Sequence, residues 1–447
     1  MINVKILEAN GACASREELL TLYASDLKHE PFKRQSVVMP DGTVALEAPP
    51  EPCILHAKLR LPGYGHMWVS ADNGGDGYKD GDDLNFIREA ARSRVAEVEA
   101  VIRGGEFVAG TKCLSMLSDA KTLLDMAKAS PQKHDYHLTA LIAGLWAGEL
   151  AAVERARARI AKRKKKERFL FGCGGFQYPY SDNPAKKVLF DSLFNYATLP
   201  FYLDRLEKVY GEPDYSNLDR LQDAFEANGI PTKAHPMWWP HKVHGMPPWM
   251  QGVNWRDGSL EREINRVISR SVQRYKGRIH YYDAINEAHD WCNVFNLTRE
   301  QEGLMTKLCC DAIHNVDPDA HTVVNTCFLF GENVADGKVQ WGLDSPRIMT
   351  PYTYLEQVHA CGTQYDSIGI QLYCPSRDML AIDKLFERYA AFQKPIHLTE
   401  LGVPSMEMRV PPNTLDGRMY CLNFMYHGYW REEQWSERLQ ADWIEDF

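Results

Sequence analysis

The stretch Ile279-His-Tyr-Tyr-Asp-Ala-Ile-Asn-Glu287-Ala288 and the later stretch Pro395-Ile-His-Leu-Thr-Glu400-Leu-Gly402 decide the fold. Each is rich in β-branched and aromatic residues, which predicts a strand, and each has a glutamate where the strand gives way to turn or loop residues. The carboxyl ends of parallel strands converge on one face of an α/β barrel. Glu287 and Glu400 are therefore predicted to lie together, and two converging carboxylates are the minimal equipment for cleaving a glycosidic bond.

From residue 168 onward the sequence alternates between strand-like and helical patterns. Helical stretches such as 218–227 and 261–275 separate the apolar runs. The predicted strands are 169–172, 196–201, 231–239, 279–287, 321–327, 367–373 and 395–401. Repeated strand–helix units predict a parallel sheet, and this many units predict a (β/α)8 TIM barrel. An eighth strand is not visible, so either a strand is miscounted or a second chain or segment closes the barrel.

Two further regions precede the predicted barrel, which we place at residues 168–447. Residues 1–82 predict a small β-rich module, because apolar and polar residues alternate over 55–61 as in a half-buried strand. If this module binds carbohydrate, Tyr64 and Trp68 would be exposed sugar-binding rings; otherwise the module would be a structural cap. Residues 83–167 predict a helical spacer, in which Gly104-Gly105 ends the first of three helices.

The bulk properties exclude some classes of partner. The chain has 447 residues and a net charge of -9, which argues against nucleic acid or an anionic membrane as the main partner. Its 11 cysteines are dispersed, which is typical of reduced thiols in the core. The amino-terminal residues lack a signal-peptide pattern, and the apolar run 138–152 contains Glu149, which favours a packed helix over a membrane span. The cellular location therefore stays unknown.

Five short motifs occur in one order along residues 169–447. They are Lys233-Ala-His235-Pro-Met-Trp-Trp239, Pro248-Trp249, Asp283-Ala-Ile-Asn286-Glu287-Ala288, Ile368-Gly-Ile-Gln371 and Thr399-Glu400-Leu401. In this order they resemble the third-strand His motif, the Pro-x-Trp, the fourth-strand Asn-Glu, the sixth-strand Gly-x-Gln and the seventh-strand Thr-Glu-Leu of glycoside hydrolase family 10. That family comprises the (β/α)8 endo-β-1,4-xylanases.

The resemblance implies a retaining, xylanase-like glycosidase of polysaccharide degradation, with Glu287 as acid/base and Glu400 as nucleophile. The substrate-binding residues that it implies are Asn286, His235, Trp239, Asn325, Gln371 and Tyr373. Asn286 is expected to hydrogen-bond the sugar 2-hydroxyl, and either Gln371 or Tyr373 is expected to orient Glu400. The expected partner is a polysaccharide or oligosaccharide. No cofactor is expected, and the irregular spacing of His235, His241 and His244 argues against a metal site.

The sequence also departs from the family pattern where the sugar is contacted. Pro200-Phe201-Tyr-Leu-Asp204 stands where the family has Glu-Asn-x-x-Lys on its second strand. A second third-strand histidine is Pro240 here, the sixth-strand histidine is Tyr373, and only Asn325 remains of the fifth-strand Asn-Asp-Tyr. The chemistry is expected to be retained, acting on xylan or a related plant polysaccharide. The alternatives are a carbohydrate-binding protein on a hydrolase scaffold that has lost turnover, and an incomplete gene product.

Overall fold

The computed structural model describes residues 1–163, 169–176, 178, 183–242, 245–290, 294–339, 345, 347–373, 376–406, 430–431 and 434–447. The prediction that concerns His244 and the predicted boundary between residues 167 and 168 lie outside the described residues.

The amino-terminal region contains two small sheets. One has the strand order β3-β4-β1-β7 and the other the order β2-β5-β6. The elements are β1 Ile2–Lys5, α1 Arg16–Leu19, β2 Tyr23–Ser25, β3 Ser36–Val38, β4 Val44–Leu46, β5 Ile54–Leu61, β6 Gly65–Ala71 and β7 Asp83–Asn85. The β-rich character predicted for this region is confirmed, whereas the boundary of the module stays a prediction.

Strand β5 lies where alternation predicted a strand, but the prediction that it is half-buried is wrong. Its polar residues His56 and Lys58 are buried as well as its apolar ones. β5 is the central strand of its sheet, and its polar groups find partners inside. Ser25 and Ser70 each lie 2.8 Å from a ring nitrogen of His56. A buried polar side chain is tolerated when it is hydrogen-bonded in this way.

The prediction that Tyr64 and Trp68 could be exposed sugar-binding rings is wrong. Tyr64 is 1% exposed, and its ring lies edge-on to Trp146. Trp68 is 9% exposed and packs edge-on to Tyr23. Because both rings are covered by other parts of the chain, neither is a platform on which a sugar can stack.

Three helices follow, at α2 Phe86–Arg103, α3 Thr111–Ala129 and α4 His134–Lys162. The Asn85 side chain caps α2 by accepting from the amide of Arg88, and Gly104 ends the helix as predicted. By length and composition alone α4 could cross a membrane. However, 56% of its most apolar window is buried inside the protein, and α4 packs against α2 and α3, as core helices of soluble folds also do.

A third, larger sheet has seven parallel strands among the described residues. They are β8 Gly172–Gly174, β9 Tyr196–Pro200, β10 Thr232–His235, β11 Tyr281–Asn286, β12 His321–Thr326, β13 Ser367–Tyr373 and β14 Ile396–Gly402. The helices in this part are α5 Pro184–Leu193, α6 Leu203–Leu206, α7 Ser216–Ala227, α8 Ser259–Tyr275, α9 Arg299–His314, α10 Glu332–Asp336, α11 Pro351–Ala360, α12 Met379–Ala390 and α13 Glu437–Asp446. The prediction of alternating parallel strands and helices is confirmed.

Two predicted strand boundaries differ from the structure for clear reasons. β10 ends at His235, four residues early, because Pro236 has no N–H to donate to a ladder. β8 begins at Gly172 rather than at Phe169, which is exposed. A Cβ at Gly172 would lie 2.2 Å from the carbonyl oxygen of Tyr196, so only glycine lets the two strands pair so closely.

The sheet order is β14-β13-β12-β11-β10-β9-β8, which is the chain order of a barrel. Among the described residues, β14 and β8 are the two edges and no ladder joins them. The observed architecture is thus an incomplete parallel barrel, with the amino-terminal sheets and α2–α4 packed beside it. All seven strands point the same way, so their carboxyl ends form one edge.

The described cysteines bear out the prediction of dispersed thiols. Eight of them, including the neighbours Cys309 and Cys310, are outside disulfides, and five of the eight are buried. Burial raises the pKa of the Cys310 thiol above its usual range, which keeps this thiol protonated and unreactive.

Glu302 in α9 gives a testable pH dependence. It is 3% exposed, and burial raises its pKa to about 8 despite the nearby Arg299 and Arg347. Between pH 4.5 and 8 the unfolded chain releases this proton while the folded chain keeps it, so folding stability falls as pH rises. The substitution Glu302→Gln keeps the shape without the charge. It should raise the free energy of unfolding at pH 8 relative to pH 5 by on the order of 2 kcal/mol compared with wild type.

Urea denaturation at both pH values measures this difference. Glu300→Gln is the matched control, because Glu300 is an exposed glutamate in the same first turn of α9. If both variants follow the wild-type pH dependence, Glu302 is ionised in the folded protein and the prediction is wrong.

Candidate active site

Glu287 lies immediately after β11, at the carboxyl edge of the sheet. Its φ of 51° is left-handed, which is uncommon for a residue with a side chain and turns the chain out of the strand. The backbone amide donates to the carbonyl of Asn325 at 3.0 Å, which fixes this turn. The side chain is 5% exposed and accepts a 2.6 Å hydrogen bond from Nε2 of Gln371. Strained backbone of this kind clusters at functional sites.

Glu400 projects from β14 at the same edge, and its side chain is 25% exposed. Two donors hold its carboxylate. The Tyr373 hydroxyl donates to Oε2, and Nδ2 of Asn325 donates to Oε1 at 3.2 Å. Nε2 of His235 lies 3.8 Å from Oε1. The two donors fix the direction of the carboxylate, which a nucleophile needs.

Three amide side chains connect the two glutamates. Oδ1 of Asn286 accepts from Nδ2 of Asn325 at 2.8 Å and from Nε2 of Gln371 at 3.3 Å. Since these are the amides that also donate to Glu400 and Glu287, the network runs unbroken between the carboxylates. Thr399 completes it by donating to Oδ1 of Asn325 at 2.5 Å. Each amide thus has its oxygen and nitrogen assigned by its partners.

A buried charge cluster holds the Nδ1 side of the His235 ring. Its Nδ1 lies 2.7 Å from Oδ2 of Asp283, which also pairs with Nζ of Lys233 at 2.6 Å. Burial acts to raise the pKa of Asp283, but Lys233 and the His235 hydrogen bond outweigh burial and lower it. An ionised Asp283 orients the imidazole and leaves Nε2 facing Glu400.

Aromatic rings form a wall beside these polar groups. Trp239 is half-buried and stacks on His241 at 4.5 Å, whereas Trp238 is 1% exposed and belongs to the core. Tyr202 lies 5.9 Å, between ring centroids, from both His235 and Trp239. Burial raises the pKa of Tyr202 to about 12, and the nearby charges of Glu400 and Glu287 add to this effect. The Tyr202 hydroxyl is therefore neutral near neutral pH.

The structure brings all eight sequence-predicted residues together at this edge. Of the two residues expected to orient Glu400, Tyr373 makes that contact and Gln371 contacts Glu287 instead. The register between β13 and β14 shifts after Ile370, so Gln371 comes to lie opposite Glu400. Such an irregularity re-aims the side chains that follow it.

Sequence reasoning missed three residues at this site. Tyr202 stood in a stretch noted only for its departure from the family pattern, and Asp283 and Thr399 were quoted in motifs without a role. A signal was present for two of the three. Asp283 is a charged residue within an apolar strand, and Thr399 precedes the glutamate of its motif. A buried charge inside a strand requires a partner, and here the partners are His235 and Lys233.

Among the described residues, no group of three histidine, cysteine, aspartate or glutamate side chains is arranged to hold a metal ion. His235 faces Asp283 and Glu400, and His241 stacks on Trp239. The two carboxylates, each held by its own donors, equip this edge of the sheet for acid–base and nucleophilic chemistry.

Comparison with known proteins points to one family. The model of "Glycosyl hydrolase family 10" matches residues 162–419. Endo-1,4-beta-xylanase 3 of Arabidopsis thaliana is 27% identical over 232 residues, which cover 50% of this chain and 28% of that protein. Endo-1,4-beta-xylanase 3 of Hypocrea jecorina QM6a is 25% identical over 214 residues, covering 47% and 56%. The chain thus spans between about a quarter and just over half of these relatives.

Solved structures of the same family are also similar to this chain. A family 10 structure from Paenibacillus barcinonensis has 21% identity and a TM-score of 0.41, covering 54% of this chain and 72% of that one. Native xylanase 10C from Cellvibrio japonicus has 15% identity and a TM-score of 0.44, covering 55% and 54%. Because the family model matches more than half of its residues, the chain belongs to glycosyl hydrolase family 10.

Proposed function

We propose that this protein is a retaining glycosidase that cleaves β-1,4-linked xylan or a related plant polysaccharide. The observation that carries the proposal is the continuous hydrogen-bond network between Glu287 and Glu400 at the carboxyl edge of the sheet. Family membership supports the reaction, and the xylanase names of the relatives support the substrate class.

In the first step Glu400 attacks the anomeric carbon and the glycosidic C–O bond breaks. Glu287 gives its proton to the departing oxygen, so that the leaving group is a neutral alcohol. Tyr373 and Asn325 hold the Glu400 carboxylate in a fixed direction. This supports its role as nucleophile, because a group that is already aligned loses less entropy on reaching the transition state.

In the second step water displaces Glu400 from the glycosyl-enzyme, and Glu287 takes the proton of that water. The Gln371 hydrogen bond keeps Glu287 in one place through both steps. With Oδ1 of Asn286 committed to two donors, its amide nitrogen is the group left to bind the sugar 2-hydroxyl. Both displacements occur at one carbon, so the anomeric configuration is retained.

The residues around the reacting sugar are expected to set the substrate. His235, Trp239, Asn325, Gln371 and Tyr373 line this subsite in the proposal. Tyr202 offers a ring and a neutral hydroxyl where the family pattern has charged and amide side chains. We infer that the sugar one step beyond the cleavage point is held by stacking more than by charge.

We infer that the seven strands are part of a (β/α)8 barrel, as family membership implies. Closure of that barrel by a second chain or a further segment stays a prediction.

Hydrolysis of 4-nitrophenyl β-xyloside, β-xylobioside and β-glucoside, beside a panel of plant polysaccharides, tests the function. Proton NMR of the first product formed reports its anomeric configuration. The proposal expects turnover of a β-xylosyl substrate with a β-anomeric product. An α-anomeric first product, or a folded protein that turns over no member of the panel, would overturn it.

Tyr202→Ala tests the stacking inference. Removal of the ring should raise KM for xylo-oligosaccharides about tenfold and change kcat much less, because the ring binds the ground state and transition state alike. KM for 4-nitrophenyl β-xyloside, which has one sugar, should change by less than that for the oligosaccharide. Tyr210→Ala is the control, since Tyr210 is exposed and packs on Trp249. Equal KM changes in the two variants would contradict the inference.

A further inference from the structure

Four consecutive residues, Ser376 to Met379, follow β13, and each contacts the amino-terminal region, residues 1–163. The carbonyl of Ser376 accepts from the amide of Trp68 at 2.9 Å, and the Arg377 guanidinium lies over the Trp68 ring. Asp378 pairs with Arg94 at 2.7 Å, and the amide of Met379 donates to Glu149 at 2.8 Å. The contacts come from β6, α2 and α4, so three separate elements hold this one segment.

Arg377 is the centre of these contacts. Its guanidinium lies 4.3 Å from the ring centroid of Phe330 and 5.1 Å from that of Trp68. It also pairs with Glu332, and both partners of this ion pair are more than nine-tenths buried. A planar guanidinium between two rings and a carboxylate is held in one orientation, and removing one partner leaves a buried charge uncompensated.

The same contacts reach the segments after β12 and β11. Glu332 begins α10, which follows β12, the strand that carries Asn325. Its neighbour Asn333 donates to Asp290 at 3.2 Å, and the amide of Asp290 donates to the carbonyl of Glu287 at 3.1 Å. The segments that follow three adjacent strands are therefore tied to each other and to the amino-terminal region.

We propose that Arg377 is a positioning residue, through which the amino-terminal region fixes Tyr373 and hence the direction of Glu400. The proposal rests on the function proposed above. Tyr373 lies three residues before Ser376, so fixing residues 376–379 restricts where its hydroxyl can be. Asn325, the second donor to Glu400, lies seven residues before Glu332. The amino-terminal region is accordingly a brace for the site rather than a separate carbohydrate-binding module.

Arg377→Met is the main test and Arg388→Met its matched control. Arg388 also pairs with a residue of the amino-terminal region, Glu30, and also lies over a ring, that of Tyr352, at 4.3 Å. It stands near the far end of α12, away from the strand ends. Arg377→Met should lower kcat for a β-xylosyl substrate about tenfold to a hundredfold with KM within about twofold, and Arg377→Lys should recover part of this loss. Arg388→Met should lower Tm and leave kcat unchanged.

A double-mutant cycle separates positioning from general weakening. If Arg377 acts through Tyr373, Arg377→Met should have little further effect on kcat in a Tyr373→Phe background. The proposal would be overturned if the two substitutions lowered kcat by independent factors that multiply in the double variant. It would also be overturned if Arg388→Met lowered kcat as much as Arg377→Met does.

Hydrogen exchange gives a readout that does not need turnover. Amides of β13 should lose protection in Arg377→Met and keep it in Arg388→Met. Each variant is measured at the same interval below its own Tm, so that a difference in global stability does not enter the comparison. Absence of glycosidase activity in the wild type would overturn the proposed function, whereas unchanged β13 protection in Arg377→Met would overturn the brace. The two failures are thus distinguishable.

Discussion

Replacing Glu400 with glutamine should lower the hydrolysis of a 4-nitrophenyl β-xyloside by about 10⁴-fold or more, because a neutral amide cannot form the glycosyl-enzyme. The amide has the shape of the carboxylate, and its oxygen can still accept from Tyr373 and Asn325. Tm and the affinity for a xylo-oligosaccharide should therefore stay close to those of wild type. Steady-state kinetics, thermal denaturation and calorimetric titration measure the three quantities.

Glu356→Gln is the control for Glu400→Gln, since Glu356 is exposed on α11. It should keep wild-type activity. A Glu400→Gln protein that retains more than about a tenth of the wild-type rate would exclude Glu400 as the nucleophile, because loss of the covalent step lowers the rate by far more than that. Unchanged sugar binding with no wild-type turnover would instead favour the carbohydrate-binding alternative.

Removing Glu287 should have an effect that depends on the leaving group. The substitution Glu287→Gly should lower kcat/KM for a xylo-oligosaccharide by about 10²–10⁴-fold, the usual contribution of general acid–base catalysis. A dinitrophenolate leaves without a proton, so formation of the glycosyl-enzyme from the dinitrophenyl glycoside should be nearly as fast as in wild type. Added azide should then restore turnover by replacing water, and a β-glycosyl azide should be the product.

Glycine suits this experiment because the φ of Glu287 lies in the left-handed region that glycine adopts readily. The variant should therefore fold as well as wild type. Gln371→Met is a comparison that removes the donor to Glu287 and keeps the carboxyl group. It should show no azide rescue. A Glu287→Gly protein that azide does not rescue, and that loses activity equally on both leaving groups, would exclude Glu287 as the acid/base.

The sequence predicts the large sheet and its carboxyl-edge residues well, because both follow from local patterns. Apolar runs separated by helical stretches predict parallel strands, and residues that end such strands must share an edge. Ser367–Tyr373 was predicted to the residue. Glu287 and Glu400 could be paired before any contact was known, since the direction of the strands alone brings them together.

What could not be predicted depends on tertiary packing. The alternation over 55–61 indicated a half-buried strand, yet β5 is covered on both faces, and a pattern of one chain segment does not reveal what packs on it. Tyr202 escaped notice because its role comes from the direction of a ring that no motif specifies. The partner of Gln371 depended on a one-residue register shift between β13 and β14, which periodicity does not reveal.

The ties between residues 1–163 and the segment after β13 have a consequence for how this gene can change. The part of the chain that matches the family model begins at residue 162, but Trp68, Arg94 and Glu149 lie before it. Without them Asp378 and Arg377 would lose partners, which costs stability in a region next to the carboxyl edge of the large sheet. We therefore expect the two parts to be inherited as one unit. Shuffling of domains between genes, which freely exchanges modules joined by linkers, would be selected against here.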